Sequence, residues 1–350
     1  MRVLVFGLIC GLIAGLAQAQ RAAVQPQRVK PLPGESVLKQ NAAVARSTVF
    51  APVLGFLPDP NGAGLVPILG IASSPSPGET LPEPAGVTRI FLPPRQHYAL
   101  VEKSIGGLAV WHLASRHIAE GKDLLDTISG AFTTPDMVVF SATGTSAVLY
   151  SEALGQLQVV TGLPGRARIG YTASIPSVTP LALAVSDDGA LGVAADSAGQ
   201  LRLFSADSAT RLLPLSYAPL AFLFIPKTHD LVISDSEKKQ LLLVRDLEVG
   251  SAPTVIANGI QANLLAGTSE GEIVLAADVT ANRLWIINVK TVTVTPVSSN
   301  TQLQTLITLR DGHTFLISPA PLALLKLPGS SLMPSVTTGA LHLTSIVTVH

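Results

Sequence analysis

Two things are scarce in this chain: cysteine and charge. Cys10 is the only cysteine, and 23 Lys+Arg face 23 Asp+Glu, so charged residues make up 13% of the 350 residues and the net charge is zero. Average domains carry about 25% charged residues. Aromatic residues are also few, at 5%. Each scarcity excludes something. A balanced chain without clustered Lys/Arg cannot displace counterions from phosphate, so nucleic acid is not an expected partner. Cys10 lies in an N-terminal segment that reads as removable, which leaves the mature chain without disulfides, thiolate zinc sites or a cysteine nucleophile. Long apolar runs are missing as well. Beyond the N-terminal segment the longest is Leu220 to Ile225, far below the length of a spanning helix, so no transmembrane segment is expected in the mature chain. Hydrophobic residues nevertheless reach 47%, which excludes a wholly disordered chain.

What is present starts with an address. Arg2 precedes an apolar stretch from Val3 to Leu16, followed by Ala17-Gln18-Ala19 and then Gln20. A short positive region, an apolar core and a small-x-small site form a secretory signal peptide, cleaved between Ala19 and Gln20. The expected product is an exported monomer, periplasmic or extracellular. Residues 20–50 are polar with little period and read as a flexible arm. A Pro/Gly/Ser-rich stretch from Ser73 to Gly86 reads as a long surface loop.

From Val87 onward the chain repeats itself. Val185 to Phe204 (VSDDGALGVAADSAGQLRLF) matches Gly267 to Ile287 (GTSEGEIVLAADVTANRLWII), and further copies begin at Phe91, Phe140, Phe224 and Thr308. Each copy has a short apolar strand, a turn, a second apolar strand, a polar turn and a third strand opening on Leu. The residue closing the second strand falls at Glu102, Glu152, Asp196, Asp235, Asp278 and Ser318, at intervals of 50, 44, 39, 43 and 40 residues. A period near forty with about four strands per unit is the pattern of a β-propeller blade. The strands are apolar at successive positions, as expected where both faces are covered. The fold class is therefore all-β: a propeller of seven four-stranded antiparallel blades, with six or eight left open. Residues 53–69 read as the third-and-fourth-strand hairpin of a blade, and Ala340 to His350 as an extra strand. The expected closure has these N- and C-terminal segments share one blade within a single domain spanning residues 51–350.

The turn Ser186-Asp187-Asp188-Gly189, with Ser269-Glu270-Gly271 and Arg310-Asp311-Gly312, resembles the turn of bacterial YVTN/WD40-like propeller repeats over roughly residues 87–330. The resemblance implies the architecture and carries no activity, since propellers serve many functions. The chain has no Trp-Asp dipeptide, and its one Gly-His pair, Gly312-His313, lies in the wrong turn for WD40 repeats proper.

The candidate site is the acid recurring at one position of five successive copies: Glu102, Glu152, Asp196, Asp235 and Asp278. A ring of carboxylates on one rim can attract a cation or a basic partner. The alternative is that these acids start turns by accepting amide hydrogen bonds, which favours Asp at hairpin ends. The seven histidines show no metal-ligand spacing, and no catalytic or cofactor motif occurs, so no catalytic residue, metal or cofactor is expected. Trp111 and Trp285 fall in third strands, where blade packing is the default. The expected function is a binding or scaffolding module for a protein, glycan or small molecule held on a rim. The alternative is a lactonase-like hydrolase with a rim site.

Overall fold

The structure, a computed structural model, describes residues 51–59, 64–113, 124–175, 180–196, 199–207, 210–327 and 346–349. The signal segment with Ala17, Ala19 and Gln20, and the arm over residues 20–50, lie outside the described residues.

The architecture is a ring of seven antiparallel four-stranded sheets, the blades of a β-propeller, with no helix among the described residues. Blade one contains β1 (Val53–Pro58), β2 (Gly64–Ile71), β3 (Ser74–Pro77) and β4 (Leu81–Pro82). Blade two is β5 (Val87–Phe91), β6 (Tyr98–Lys103), β7 (Gly107–His112) and β8 (Leu125–Thr127). Blade three is β9 (Met137–Phe140), β10 (Ser146–Ser151), β11 (Gln156–Thr161) and β12 (Arg168–Ser174). Blade four is β13 (Ala182–Val185), β14 (Leu191–Ala195), β15 (Gln200–Ser205) and β16 (Arg211–Ser216). Blade five is β17 (Pro219–Phe224), β18 (Leu231–Asp235), β19 (Gln240–Val244) and β20 (Thr254–Asn258). Blade six is β21 (Leu264–Gly267), β22 (Ile273–Asp278), β23 (Arg283–Asn288) and β24 (Thr293–Val297). Blade seven is β25 (Ile307–Thr308), β26 (Thr314–Pro319), β27 (Leu322–Lys326) and β28 (Ile346–Val349).

The core lies between blades rather than inside them. In β14, Leu191, Val193 and Ala195 pack toward blade five, while Ala194 packs with Val148 and Val159 of blade three. Successive side chains of a strand point to opposite faces, so a strand covered on both sides must be apolar throughout. Comparable clusters fill every junction, including the last, where Ile68 of blade one meets Leu316 and Leu324 of blade seven. Each fully buried Leu or Ile contributes about 1.5–3 kcal/mol. This inter-blade burial accounts for the charge-poor sequence.

The expected closure is corrected. The C-terminal strand does not share a blade with the N-terminal hairpin: β28 pairs with β27, from Leu322↔Val349 to Leu325↔Ile346, and completes blade seven. The sixth repeat ends with an unpaired edge on its third strand, and β28 satisfies those backbone groups. The N-terminal hairpin obtains its outer strands from its own continuation. Residues 74–82, expected as loop, pair with β2 as β3 and β4. Pro75, Pro77 and Pro82 are tolerated there because the strands lie at a sheet edge, where a missing N–H costs no ladder bond.

Nor is that hairpin the third and fourth strands of its blade. The start of β1 lies at the turns joining first to second strands in blades seven and two, so β1 runs with the second strands of the other blades. β3 and β4 both pair with β2, and the four strands of blade one fill three lanes. The inner edge of β1 is closed by other means. Leu54 C=O accepts the Arg310 N–H at 3.1 Å. The carboxamide of Gln96, itself fully buried, takes both backbone groups of Phe56: Oε1 accepts the Phe56 N–H at 2.6 Å and Nε2 donates to its C=O at 3.1 Å. Blades two and seven then meet directly, Arg95 N–H donating to Thr308 C=O at 2.9 Å. The Arg310 guanidinium donates to the carbonyls of Leu113, at 2.6 Å, and Gln96, at 3.3 Å, and stands 5.2 Å from the Phe56 ring centroid. Burial lowers the Arg310 pKa.

Candidate functional site

The antiparallel order gives the disc two unlike rims. The lower rim gathers the turns joining first to second and third to fourth strands. The upper rim gathers the turns joining second to third strands and the crossings to the next blade. All five sequence-predicted acids lie on the upper rim, one each on blades two to six.

Their surroundings differ. Glu102 is buried and pairs with Arg89 at 3.3 Å, and Arg89 also donates to Pro135 C=O of blade three at 2.8 Å. Asp235 is fully buried: Oδ1 accepts the Glu237 N–H at 3.1 Å, and Oδ2 accepts from Gln240 Nε2 at 3.0 Å. Asp196 accepts the Gln200 N–H at 2.9 Å, and Asp278 the Ala281 N–H at 2.9 Å. Both carboxylates hold an amide of their own turn, three residues on for Asp278 and four for Asp196. Glu152 is exposed, its own N–H held by Asp136 at 2.7 Å. The structure thus places the acids on one rim but spends Glu102, Asp196, Asp235 and Asp278 on contacts within their own blades. Among the described residues no group of three or more His, Cys, Asp or Glu could hold a metal ion.

Beside these acids the upper rim exposes apolar side chains that sequence reasoning missed. Ile105 is 85% exposed, Leu154 58%, Leu181 63% and Leu220 37%. They belong to blades two, three, four and five in succession. Ile105 and Leu154 occupy second-to-third turns, while Leu181 and Leu220 stand where the innermost strands of adjacent blades begin. A sequence signal was available for Ile105 and Leu154, each an apolar residue inside an otherwise polar turn; Leu181 and Leu220 are hidden in apolar strand runs.

The upper rim also opens into two neighbouring cavities between blades five and six. An inner one of about 450 Å³ is lined by Leu220, Gln261, Asn263, Asp278 and Thr280. An outer one of about 590 Å³ is lined by Asn258, Asn282, Arg283 and Trp285, among others. Trp285 does lie in a third strand, but it is only half-buried and borders this cavity; Trp111 is enclosed.

The lower rim is knitted across blades. Asp187 accepts the Thr143 N–H at 2.9 Å and Thr143 Oγ1–H at 2.6 Å from blade three, and the Lys227 N–H at 2.8 Å from blade five. The next residue, Asp188, accepts from Ser186 Oγ at 2.6 Å and the Ala190 N–H at 3.0 Å. Its Oδ2 lies 3.0 Å from His229 Nε2, and Glu248 lies 3.5 Å from His229 Nδ1. Burial opposes ionisation of Asp188, but the bonds from Ser186, Ala190 and His229 outweigh it and lower its pKa below 3.8. Asp311 in blade seven behaves alike: burial opposes, bonds from Thr314 and His313 prevail, and the pKa falls. The turn closes because Gly189 takes φ +71°, and a Cβ there would stand 2.4 Å from Thr161 Cγ2.

No protein-family model matches the chain, and no curated protein matches it in sequence.

Proposed function

We propose that this chain is an exported binding module of the YVTN/WD40-like propeller kind that holds a partner protein on its upper rim. The observation carrying this reading is the arc of exposed Ile105, Leu154, Leu181 and Leu220 over four consecutive blades. Exposed apolar residues scattered singly are ordinary; what supports the reading is that these four fall on the same rim of four consecutive blades. Glu152 and Asp278 lie on the same rim as this arc and place negative charge at its border. The lower rim supports the same assignment by contrast, since Asp187, Gln96 and Arg310 there are committed to joining blades.

The test compares two variants with the wild type as bait for exported proteins. Ile105→Asp/Leu154→Asp/Leu181→Asp alters the upper rim; Val249→Asp/Val292→Asp alters exposed positions in third-to-fourth turns of the lower rim. The reading requires a stoichiometric partner lost only in the upper-rim variant. Retention there, with loss in the lower-rim variant, overturns it.

A further inference from the structure

The groove between blades five and six carries a second assignment, which shares Leu220 and Asp278 with the docking arc but rests on other side chains. Its two cavities run along the same pair of segments, 258–263 and 278–285. Each falls within the roughly 300–1,000 Å³ usual for small-molecule sites. The lining is rich in donors. Asn263 Oδ1 accepts the Val279 N–H at 3.1 Å, and Asn282 Oδ1 accepts the Leu303 N–H at 2.8 Å. Both carboxamides are thereby oriented, and their NH₂ groups have no protein acceptor among the described residues. Neither Asn258 nor Gln261 makes a side-chain bond among the described residues. Arg283 is exposed and faces Asp278 across the β22–β23 ladder, yet no ion pair joins them. Among the described residues, a guanidinium with no ion pair, several amide donors without an acceptor and a half-buried indole thus share one groove, with the Asp278 carboxylate held by the Ala281 N–H.

We infer that this groove binds a uronate-containing oligosaccharide, with a sugar carboxylate on Arg283 and a sugar ring against Trp285. A planar guanidinium matches a carboxylate in two parallel hydrogen bonds. Hydroxyl-rich rings offer the acceptors that the asparagine and glutamine donors lack. The indole supplies a broad apolar face with a polar edge, suited to a ligand that is apolar on one side and wet on the other. Two cavities in line accommodate more than one sugar unit.

Trp111 and Trp285 are the only tryptophans, so Trp111→Phe leaves Trp285 as the sole reporter. In that background, Trp285 emission is titrated with trigalacturonate, galactotriose, inorganic phosphate and an acidic hexapeptide. The expected result is a saturable change with trigalacturonate, and affinity at least about tenfold weaker for galactotriose and for the Arg283→Gln variant. Arg283 is exposed, so that variant keeps the fold. Equal affinity for the acidic and neutral sugars, undiminished binding in Arg283→Gln, no response to trigalacturonate, or a stronger response to phosphate or the peptide overturns the assignment. None of these outcomes depends on protein capture by Ile105, Leu154 and Leu181, so the two readings fail separately.

Discussion

The lower and upper rims are built from the same kinds of turn residue, and Asp187 on the one and Asp196 and Asp278 on the other put them to opposite use. On the lower rim, Asp187 draws its hydrogen bonds from blades three and five, while Gln96 and Arg310 tie blades seven, one and two together. On the upper rim, Asp196 and Asp278 accept amides of their own hairpins, and apolar side chains stand in the open beside them. An acid bonded to the next blade serves the ring, whereas an acid bonded to its own turn leaves the surrounding surface available. A carboxylate's role on such a disc follows from which blade supplies its donors.

The comparison breaks first at Asp187. Asp187→Ala strips the acceptor from three donors on two neighbouring blades and should cost about 3 kcal/mol in chemical denaturation: hydrogen bonds to charged groups contribute about 1.5–3 kcal/mol each when buried, and water replaces part of that at this half-buried site. A loss as small as that of an exposed turn residue would remove the knitting role. The upper-rim acids sharpen it next. Asp235→Ala leaves the donors of a fully buried carboxylate unmatched and should cost about 2 kcal/mol, whereas Asp278→Ala should cost under about 1 kcal/mol. Equal losses would mean that burial does not separate the two positions. The smallest effect is in the pH dependence. Asp188 and Asp311 have folded pKa values below the ordinary 3.8, so their contribution is complete above that value and is lost as the pH falls through the folded values. Asp311→Asn should therefore flatten the loss of stability below about pH 4, measured by urea midpoints across the acid range. An unchanged acid limb would deny Asp311 that part.

Much of this architecture was legible because repetition is a sequence property. The landmark running from Glu102 to Ser318 marks the second strand of blades two to seven, and unbroken apolar runs such as Leu181 to Val185 announce strands covered on both faces. The first blade was not legible. Its repeat is cut down to three lanes, and two of its outer strands are proline-bearing segments that read as loop. Gln96 gave no signal either, because a glutamine at the end of a turn looks solvated until the edge of β1 is brought against it. For the site, the acids were visible as a pattern, but their commitment to internal bonds depends on which amides the turns deliver. Arg283 and Trp285 acquire meaning only when segment 258–263 of another blade lies alongside them.

The central claim is that the lower rim holds the ring together and the upper rim is left for partners. Thermal unfolding of Gln96→Leu beside Ile105→Asp/Leu154→Asp/Leu181→Asp tests it most directly. Gln96→Leu strands two buried backbone groups of Phe56, worth about 3 kcal/mol together, and should lower the midpoint by about 6 °C. The triple variant changes exposed positions only and should shift stability by no more than about 0.5 kcal/mol per site. A Gln96 variant as stable as the wild type, or an upper-rim variant that melts several degrees early, would contradict the account.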